Sequence, residues 1–573
     1  MKGRHVAGAL IVAAAALVVF APAIRNGFVD WDDNLLLVGN LHYRGLGWTQ
    51  IRWMFTTALM GHWTPIAWLT LGADYVLWGM KPAGYHATSV VLHAATAVVF
   101  FGVASVLLAR AMPAATSAAR VGGAVVAALV FALHPLRAES VAWVTERRDV
   151  VSGLFYLVSV FAYLRMAEGR RRWPWLAASL AAYALALGSK VVTVTLPLVL
   201  VILDVYPLRR LPASPRAWLT AAARRVWLEK LPWAVLALAA GGGSSLAMLH
   251  AGYLTSVDSQ GPAARLLLAA HSAAFYLWKT LMPTGLSPEY ELREAIHWSE
   301  PRFAAALAAV IVMSAAVWML RRRWPSGAAG WVGYLVLLIP VSGLVHTGHH
   351  LVADRYTYLA SLPWALLAGG GVASLTAMRS ERLGTRVRKL AAGAIVLGLA
   401  GLGVLASVQA TVWRDTETLW RHAVDVDPDC ILCHNQLGAE LGNRGLLGPA
   451  VAHFERAVAL RPDAIGTRTN LALALAGVGR VDDAIAQWRI VLERRPDDLE
   501  SAMRLAIALL RQSRPAEAVA TLEPVVRATP DASAARAILA QAYRASGRPA
   551  AADEQIEAVR RLEASRARPA PRQ

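Results

Sequence analysis

Three carboxylates lie within four residues of one another near the start of the chain, directly after its first long apolar run. They are Asp30, Asp32 and Asp33 in the stretch IRNGFVDWDDNLLLVGN (24–40). Because a carboxylate can take a proton from an incoming hydroxyl, such a cluster is a candidate general base. The structural alternative is that these aspartates cap a helix or mark the boundary between membrane and water.

Cationic side chains that could hold a phosphate occur in three other stretches. They are Arg137, Arg147 and Arg148 in HPLRAESVAWVTERRD (134–149), Lys190 in GSKVVTV (188–194), and Arg355 in HTGHHLVADRYTYL (346–359). Guanidinium groups match the oxygens of a phosphate, although each of these cations could equally be an ordinary side chain reaching out of the membrane. If cations and carboxylates share one face, they suit transfer of a sugar from a membrane lipid carrier to a hydroxyl, and they equally allow a proton-coupled transporter.

The elements that must position these residues are membrane helices. The chain of 573 residues is 56% hydrophobic and 17% charged, whereas soluble domains are about 25% charged. Twelve apolar runs lie before residue 411, which indicates a polytopic helical membrane domain. The first run (5–24) could be a cleaved signal peptide, because APA (21–23) resembles a cleavage site, but we interpret it as an uncleaved span.

Arginine-rich connections set the expected orientation, because such loops stay in the cytoplasm. They are residues 165–173, 209–230, 321–327 and 379–389. For all of these loops to lie in the cytoplasm, the number of spans between residues 231 and 320 must be even, whereas this region has three apolar runs. One of them therefore does not span, and we assign this to 265–283, which contains Arg265, His271 and Lys279. The result is about eleven spans, with 25–84, 136–148 and 347–357 on the outer face. The net charge of +19 belongs to these loops and forms no continuous stripe, so we expect no nucleic-acid partner.

From residue 412 onward the sequence repeats with a period of 34 residues. Pro428, Pro462, Pro496 and Pro530 share one register. This period, with small residues where two helices touch, is typical of tetratricopeptide repeats. The predicted organisation is therefore a membrane domain (1–411), a repeat solenoid (412–564) and a disordered tail (565–573), all α-helical. A solenoid offers a groove for a protein or peptide.

Two local motifs suggest other chemistry. The only two cysteines form CILCH (430–434), a haem-attachment pattern, but the repeat register already places it at the start of a helix, and we expect no haem. Two cysteines also exclude a disulfide framework. HTGHH (346–350) could recruit a metal, although we expect none.

Several stretches together resemble the transmembrane and tetratricopeptide-repeat O-mannosyltransferases and their bacterial relatives. The matching stretches are GFVDWDDNLLLVGN, residues 61–95, HPLRAESVAWVTERRDVVSGLFYL, LGSKVVTVTLPLVLVILD, ADRYTYL and TVWRDTETLWRHAVDVDP (411–428). The resemblance implies an enzyme of the glycosyltransferase C superfamily that is inverting and independent of metals and cofactors. It would use a polyprenyl-phosphate sugar, typically mannose, and modify a protein hydroxyl. A bacterial inner membrane, with the site and the repeats on the periplasmic face, is the expected location.

The resemblance also implies roles for individual residues. Asp32 and Asp33 correspond to an acidic pair that supplies the base, with Asp32 preferred. The resemblance assigns phosphate binding to Arg147 and Arg355, with Arg137 and Lys190 as further cations. The supporting residues would be His86, His134, Glu139 and Asp354. Lys190 is followed by Val191, where relatives often have an acidic residue, so the chain departs from the family's pattern at this position.

Two alternatives stay open. In the first, the chain is a membrane-anchored repeat scaffold without catalysis. In the second, the carboxylates and arginines line a lipid or solute transport pathway, since membrane carboxylates can relay protons. A transporter should have ionisable residues at both ends of the membrane domain, whereas the sequence concentrates them on one face.

Overall fold

The computed structural model describes residues 2–169, 171–250, 261–292, 296–344, 350–377 and 385–566. These form two compact units, Met1–Leu419 and Trp420–Gln573. Within the described residues there is no β-strand, only one isolated bridge between Glu291 and His350. The predicted all-α class is therefore confirmed.

The first unit contains sixteen described α-helices. They are α1 (Lys2–Phe20), α2 (Trp48–Thr56), α3 (Pro65–Trp78), α4 (Pro82–Ala111), α5 (Ser117–Ala132), α6 (Ala138–Ala142), α7 (Arg147–Ala167), α8 (Arg172–Leu187), α9 (Leu196–Val205), α10 (Ala221–His250), α11 (Pro262–Leu281), α12 (Pro301–Leu320), α13 (Pro325–Leu338), α14 (Thr357–Ala360), α15 (Leu362–Ala377) and α16 (Thr385–Val412). Proline occupies the first position of five of them because its fixed φ suits a helix start and it lacks an N–H to satisfy.

Six described helices are long and apolar enough to cross a bilayer. They are Gly3–Arg25, Pro82–Ala111, Val144–Ala167, Ala223–His250, Pro301–Leu320 and Arg386–Val412. Two bent pairs, Ser117–Ala132 with Pro135–Ala142 and Asp354–Ala360 with Leu362–Ala377, bring the number to eight if each pair is counted as one span. The chain is thus a multi-pass membrane protein. The count of eleven stays a prediction, since it would also need shorter apolar helices such as Val191–Val205.

The two bent pairs have a consequence for the site. They turn by 58° and 54°, and both bends lie at the edges of stretches where candidate cations occur. Their longer helices, α5 and α15, pack closely through Gly123 and Gly369, where a Cβ on either residue would lie 2.5 Å or less from the other's carbonyl oxygen. Small residues allow this approach between membrane helices. The packing brings the broken ends, with Arg137 and Arg355, to one end of the domain.

The second unit is a stack of paired helices that follows α17 (Thr416–Val426). Its helices are α18 (Ile431–Asn443), α19 (Leu447–Leu460), α20 (Ile465–Gly477), α21 (Val481–Arg494), α22 (Leu499–Arg511), α23 (Pro515–Ala528), α24 (Ser533–Ala545) and α25 (Pro549–Arg566). Gly438 shows why small residues recur, because a Cβ there would lie 2.8 Å from the Phe454 ring of the partner helix. The predicted repeat solenoid is confirmed.

One turn position repeats in every helix pair. Gly445, Gly479, Ser513 and Gly547 have φ values of +78°, +85°, +57° and +77°. These residues lie 34 positions apart, and left-handed backbone favours glycine. Ser513 is the exception, and it takes the same conformation because its repeat folds the same turn.

Candidate active site

The two adjacent aspartates of the first loop have different surroundings. Asp33 is buried, and its carboxylate accepts hydrogen bonds from Val29 N–H (3.1 Å), Thr145 N–H (3.1 Å) and Thr145 Oγ1 (2.6 Å). Burial raises the pKa of Asp33 to about 6, although these hydrogen bonds oppose the rise. Asp33 therefore attaches the first loop to the segment before α7.

Asp32 is half-buried, and its carboxylate accepts no hydrogen bond from the part of the chain that the structure describes. Burial raises the pKa of Asp32, and the nearby positive charges of Arg148 and Arg355 oppose the rise. An unpaired carboxylate beside two guanidinium groups is free to accept a proton. Of the three loop aspartates, Asp30 is held through its backbone, whose N–H donates to Thr416 Oγ1 at 2.8 Å.

The cations next to Asp32 surround one buried glutamate, Glu146. Arg148 donates to Glu146 Oε1 at 2.5 Å, Lys190 Nζ lies 2.7 Å from Oε2, and Arg355 Nε lies 3.6 Å from Oε1. Lys190 also lies 2.7 Å from Asp149. We call Glu146, Arg148, Asp149, Lys190, Arg355 and Glu139 the ion cluster.

Glu139 and Asp354, two of the predicted supporting residues, also lie in this region. Glu139 accepts from the Arg355 backbone N–H at 2.7 Å and also pairs with its guanidinium. Asp354 accepts from the Tyr290 hydroxyl at 3.0 Å. Arg148 Nη1 and Arg355 Nη2 make no hydrogen bond to described residues. The cluster thus keeps unused donors on two guanidinium groups.

Arg147 lies elsewhere, which differs from its expected role in phosphate binding. It is fully buried, pairs with Asp74 and the Tyr85 carbonyl, and donates to Ser89 Oγ at 3.2 Å. Consecutive helical residues point about 100° apart, so Arg147 enters the protein while Arg148 joins the cluster. Arg147 is thus buried away from solvent, and each of its three guanidinium nitrogens already donates within the protein.

Three further predicted residues hold the backbone rather than reach the cluster. Arg137 is buried and donates to the carbonyl and hydroxyl of Thr357, at 3.0 and 2.6 Å. His86 Nε2 lies 3.1 Å from the Gly27 carbonyl, and His134 Nε2 lies 3.0 Å from the Thr280 carbonyl. These contacts fix the loops from which the cluster is built.

Sequence reasoning missed several residues of this region. Glu146, the centre of the cluster, stands beside the arginines in TERRD and was assigned no role. Asp74 partners Arg147, and an acid within an apolar run was the available signal. His350 Nδ1 lies 2.5 Å from Glu289 and packs edge-on against Trp31. Nothing in the sequence pointed to Glu289.

The expectation that ionisable residues concentrate on one face is wrong. A second network connects the C-terminal ends of α7 and α9 with α10. Lys230 lies 2.6 Å from Asp204, the Tyr163 hydroxyl donates to Asp204 at 2.6 Å, and Arg210 pairs with both Asp204 and Glu229. These groups are mutually paired, so the network joins the ends of these helices.

The CILCH motif forms a disulfide between Cys430 and Cys433 at the start of α18. Both sulfur atoms are therefore engaged, whereas covalent haem attachment needs both as thioethers. No group of three or more His, Cys, Asp or Glu side chains in the described ranges is arranged to hold a metal ion. Of HTGHH, residues 346–349 lie outside the described residues.

Comparisons with known proteins agree with this architecture. A profile of the tetratricopeptide repeat matches residues 469–533 and 503–569. Protein O-mannosyl-transferase TMTC4 of Homo sapiens is 25% identical over 503 residues, which cover 78% of this chain and 65% of the human protein. Protein O-mannosyl-transferase Tmtc1 of Drosophila melanogaster is 30% identical over 173 residues, covering 29% of this chain and 19% of that protein.

Among solved structures, MamA 41-end from Desulfovibrio magneticus RS-1 aligns with a TM-score of 0.25 at 17% identity, covering 28% of this chain and 89% of its own. The chain spans about 65% of the length of TMTC4. The resemblance predicted from the sequence motifs is confirmed: the chain is similar to protein O-mannosyl-transferases named TMTC and carries tetratricopeptide repeats in its C-terminal region.

Proposed function

We propose that this protein is a membrane glycosyltransferase that moves a sugar, mannose or a similar one, from a polyprenyl phosphate to a hydroxyl of a protein acceptor. The observation that carries the proposal is the unpaired carboxylate of Asp32 beside the unused guanidinium donors of Arg148 and Arg355. The similarity to protein O-mannosyl-transferases names the reaction class.

In the proposed mechanism, Asp32 accepts the proton of the acceptor hydroxyl as its oxygen attacks the anomeric carbon. The bond between that carbon and the phosphate oxygen breaks, and its electron pair leaves with the phosphate. Arg148 and Arg355 stabilise the charge that develops there. Attack from the face opposite the phosphate inverts the anomeric centre, and no metal is needed because guanidinium groups neutralise a monophosphate.

The remaining residues of the cluster act through position. Glu146 and Glu139 hold the two arginines, Lys190 lies between Glu146 and Asp149, and Asp33 fixes the loop that carries Asp32. We assign phosphate binding to Arg148 in place of Arg147, because Arg147 is fully buried and all three of its guanidinium nitrogens donate within the protein. The repeats would recruit the acceptor polypeptide, and the site and the repeats would face the periplasm of a bacterial cell.

Transfer by the purified full-length protein tests the proposal. A labelled sugar on a polyprenyl phosphate is supplied with acceptor peptides that contain Ser or Thr. Asp32→Asn should lower transfer by about 10²–10⁴-fold, as loss of a general base does, while donor binding stays near wild type. Asp30→Asn is the matched control, since Asp30 makes its contact through the backbone N–H. Full activity of Asp32→Asn would exclude Asp32 as the base.

A further inference from the structure

The first repeat, α18 with α19, is held together by two histidines. His434 Nδ1 on α18 lies 2.9 Å from His453 Nδ1 on α19, and His434 Nε2 lies 3.0 Å from the Pro428 carbonyl oxygen. His434 is buried and His453 is half-buried. We call this set the histidine contact. It joins the two helices of the repeat to each other and to the turn before them.

The second repeat (α20 with α21) and the fourth (α24 with α25) make the same contact with an arginine and a glutamine. The arginine donates to the glutamine Oε1 at 2.7 and 2.5 Å, and to the preceding proline carbonyl at 2.7 Å in both repeats. These residues are Arg468, Gln487 and Pro462 in the second repeat, and Arg536, Gln555 and Pro530 in the fourth. The third repeat has Ala502, without a polar side chain, at the arginine position.

The contacts differ in how they respond to pH. Arginine stays charged and a glutamine amide stays neutral over the whole physiological range. Histidine instead titrates near pH 6.5, so both side chains of the histidine contact can change their charge. A contact that is permanent in two repeats is therefore built from titratable groups in the first.

The geometry fixes how many protons the histidine contact can hold. A carbonyl oxygen only accepts, so His434 Nε2 carries a hydrogen, and in the neutral ring His434 Nδ1 is then an acceptor for His453 Nδ1–H. A first added proton binds the other nitrogen of His453 and leaves this hydrogen bond in place. A second would bind His434 Nδ1, and two N–H groups would then face each other with no acceptor between them.

The surroundings also oppose added positive charge. Burial lowers the pKa of His453, and the positive charges of His434 and of Arg421 on α17 lower it further. Asp429 of the turn pairs with Arg456 of α19, at 2.5 Å on the surface. The unfolded chain therefore takes up protons near pH 6.5 that the closed contact does not. Its contribution to stability is full above about pH 6.5 and is lost as the pH falls further.

We propose that the histidine contact is a pH-sensitive switch, which keeps the first repeat closed near neutral pH and opens it in mildly acidic solution. Opening separates α18 from α19 and from the turn at Pro428, while the second and fourth repeats stay closed. The number of ordered repeats then changes with pH. This inference concerns the repeats alone and does not depend on sugar transfer.

The decisive variant gives the first repeat the contact of the second and fourth. The double substitution His434→Arg, His453→Gln keeps the donor to the Pro428 carbonyl and the bond between helices, but neither side chain titrates. His453→Gln alone is a milder variant. It keeps the bond at every pH because its amide can donate to neutral His434 and accept from the protonated ring.

Hydrogen–deuterium exchange of the full-length protein in detergent, followed by mass spectrometry, measures opening. Comparing wild type with the variant at one pH removes the chemical effect of pH on exchange. Peptides from 428–460 should exchange at least about tenfold faster in wild type at pH 5 and equally at pH 7.5. The reason is that each proton bound only by the open state multiplies the opening constant by up to about ten per pH unit. Peptides from 462–494 should show no difference at either pH.

Equal exchange of 428–460 in wild type and the double variant at pH 5 would overturn the proposal. If the double variant does not fold, the same comparison is made with His453→Gln, and equal exchange there has the same meaning. Faster exchange at pH 5 that extends equally over all four repeats of wild type would also overturn it, because the repeats would then unfold together.

Discussion

Thr145 donates two hydrogen bonds to one oxygen of Asp33, from its backbone N–H at 3.1 Å and from its hydroxyl at 2.6 Å. This contact joins the first loop to the segment that ends in Glu146, the centre of the ion cluster. Asp33 is thereby occupied, whereas Asp32 next to it accepts no hydrogen bond from described residues. Neighbouring carboxylates thus differ in their surroundings, and only Asp32 is open for the proposed role as a base.

The pH dependence of the free energy of unfolding should reveal the raised pKa of Asp33. Its pKa rises from 3.8 to about 6 on folding, so the folded state holds its proton more tightly than the unfolded state does. The stability it contributes is full below pH 3.8 and is lost as the pH rises through 6. The advantage of wild type over Asp33→Asn should thus shrink by up to about 3 kcal/mol between pH 4 and 7.

Chemical unfolding in detergent, monitored by tryptophan fluorescence at several pH values, measures this difference. Asp32→Asn serves as a second variant at the neighbouring position. A difference between wild type and Asp33→Asn that stays constant with pH would contradict the assignment.

Arg147 and Arg148 should respond differently to the same substitution. Arg147→Lys breaks a buried set of contacts with Asp74, Tyr85 and Ser89, so it should lower the melting temperature and the folded yield. Arg148→Lys should leave folding near wild type and raise KM for the donor about tenfold, because charge-assisted hydrogen bonds contribute about 1.5–3 kcal/mol. Normal stability of Arg147→Lys with weak donor binding would return Arg147 to the site.

The pH–rate profile should report Asp32. A base must be ionised, so transfer should decline as the pH falls through the pKa of Asp32, which burial holds above 3.8. Arg148 and Arg355 lower this pKa, as does His350, while Glu146 raises it. Arg148→Gln should therefore move the acid limb to higher pH.

The control for this shift of the acid limb is Arg110→Gln, because Arg110 is an exposed arginine in the last turn of α4 and belongs to no part of the ion cluster. Its acid limb should match wild type. If transfer declines at the same acidic pH in Arg148→Gln and wild type, a group other than Asp32 controls this decline.

The segment after α16 should affect the rate through the first loop. Thr416 Oγ1 accepts from Asp30 N–H at 2.8 Å, and Arg414 O accepts from Gly27 N–H at 2.8 Å. Thr416→Val leaves the Asp30 N–H without its acceptor, so the position of Asp32 should loosen and kcat should fall about tenfold at constant donor KM. Thr416→Ser keeps the hydroxyl and should restore kcat. If Thr416→Ser does not restore kcat, the loss in Thr416→Val comes from changed packing and not from the missing hydrogen bond.

Ser513 offers a stabilising substitution in the repeats. It has φ +57° at a position where Gly445, Gly479 and Gly547 also have positive φ. Left-handed backbone costs a residue with a Cβ about 1–2 kcal/mol, and the greater freedom of unfolded glycine offsets part of the gain. Ser513→Gly should raise the free energy of unfolding by roughly 0.5–1 kcal/mol. Urea unfolding measures it, and Ser546→Gly, in a helix-end position with negative φ, should give no increase.

The sequence alone determined the α-helical class, the membrane and repeat regions, and the family resemblance. Apolar runs long enough for a bilayer and a 34-residue period are properties of local order along the chain, so they can be read without contacts. The stretches that contain Asp32, Lys190 and Arg355 were also identified, because charge next to membrane spans is conspicuous.

Only the tertiary structure decided which of these residues face one another. Arg147 and Arg148 are neighbours in sequence with the same side chain, yet one pairs with Asp74 inside the protein and the other contacts Glu146. Likewise, Thr145 donates hydrogen bonds to Asp33 and none to Asp32. A side chain's partners depend on helix rotation and on segments more than a hundred residues away, and neither is encoded in the residue type or its spacing.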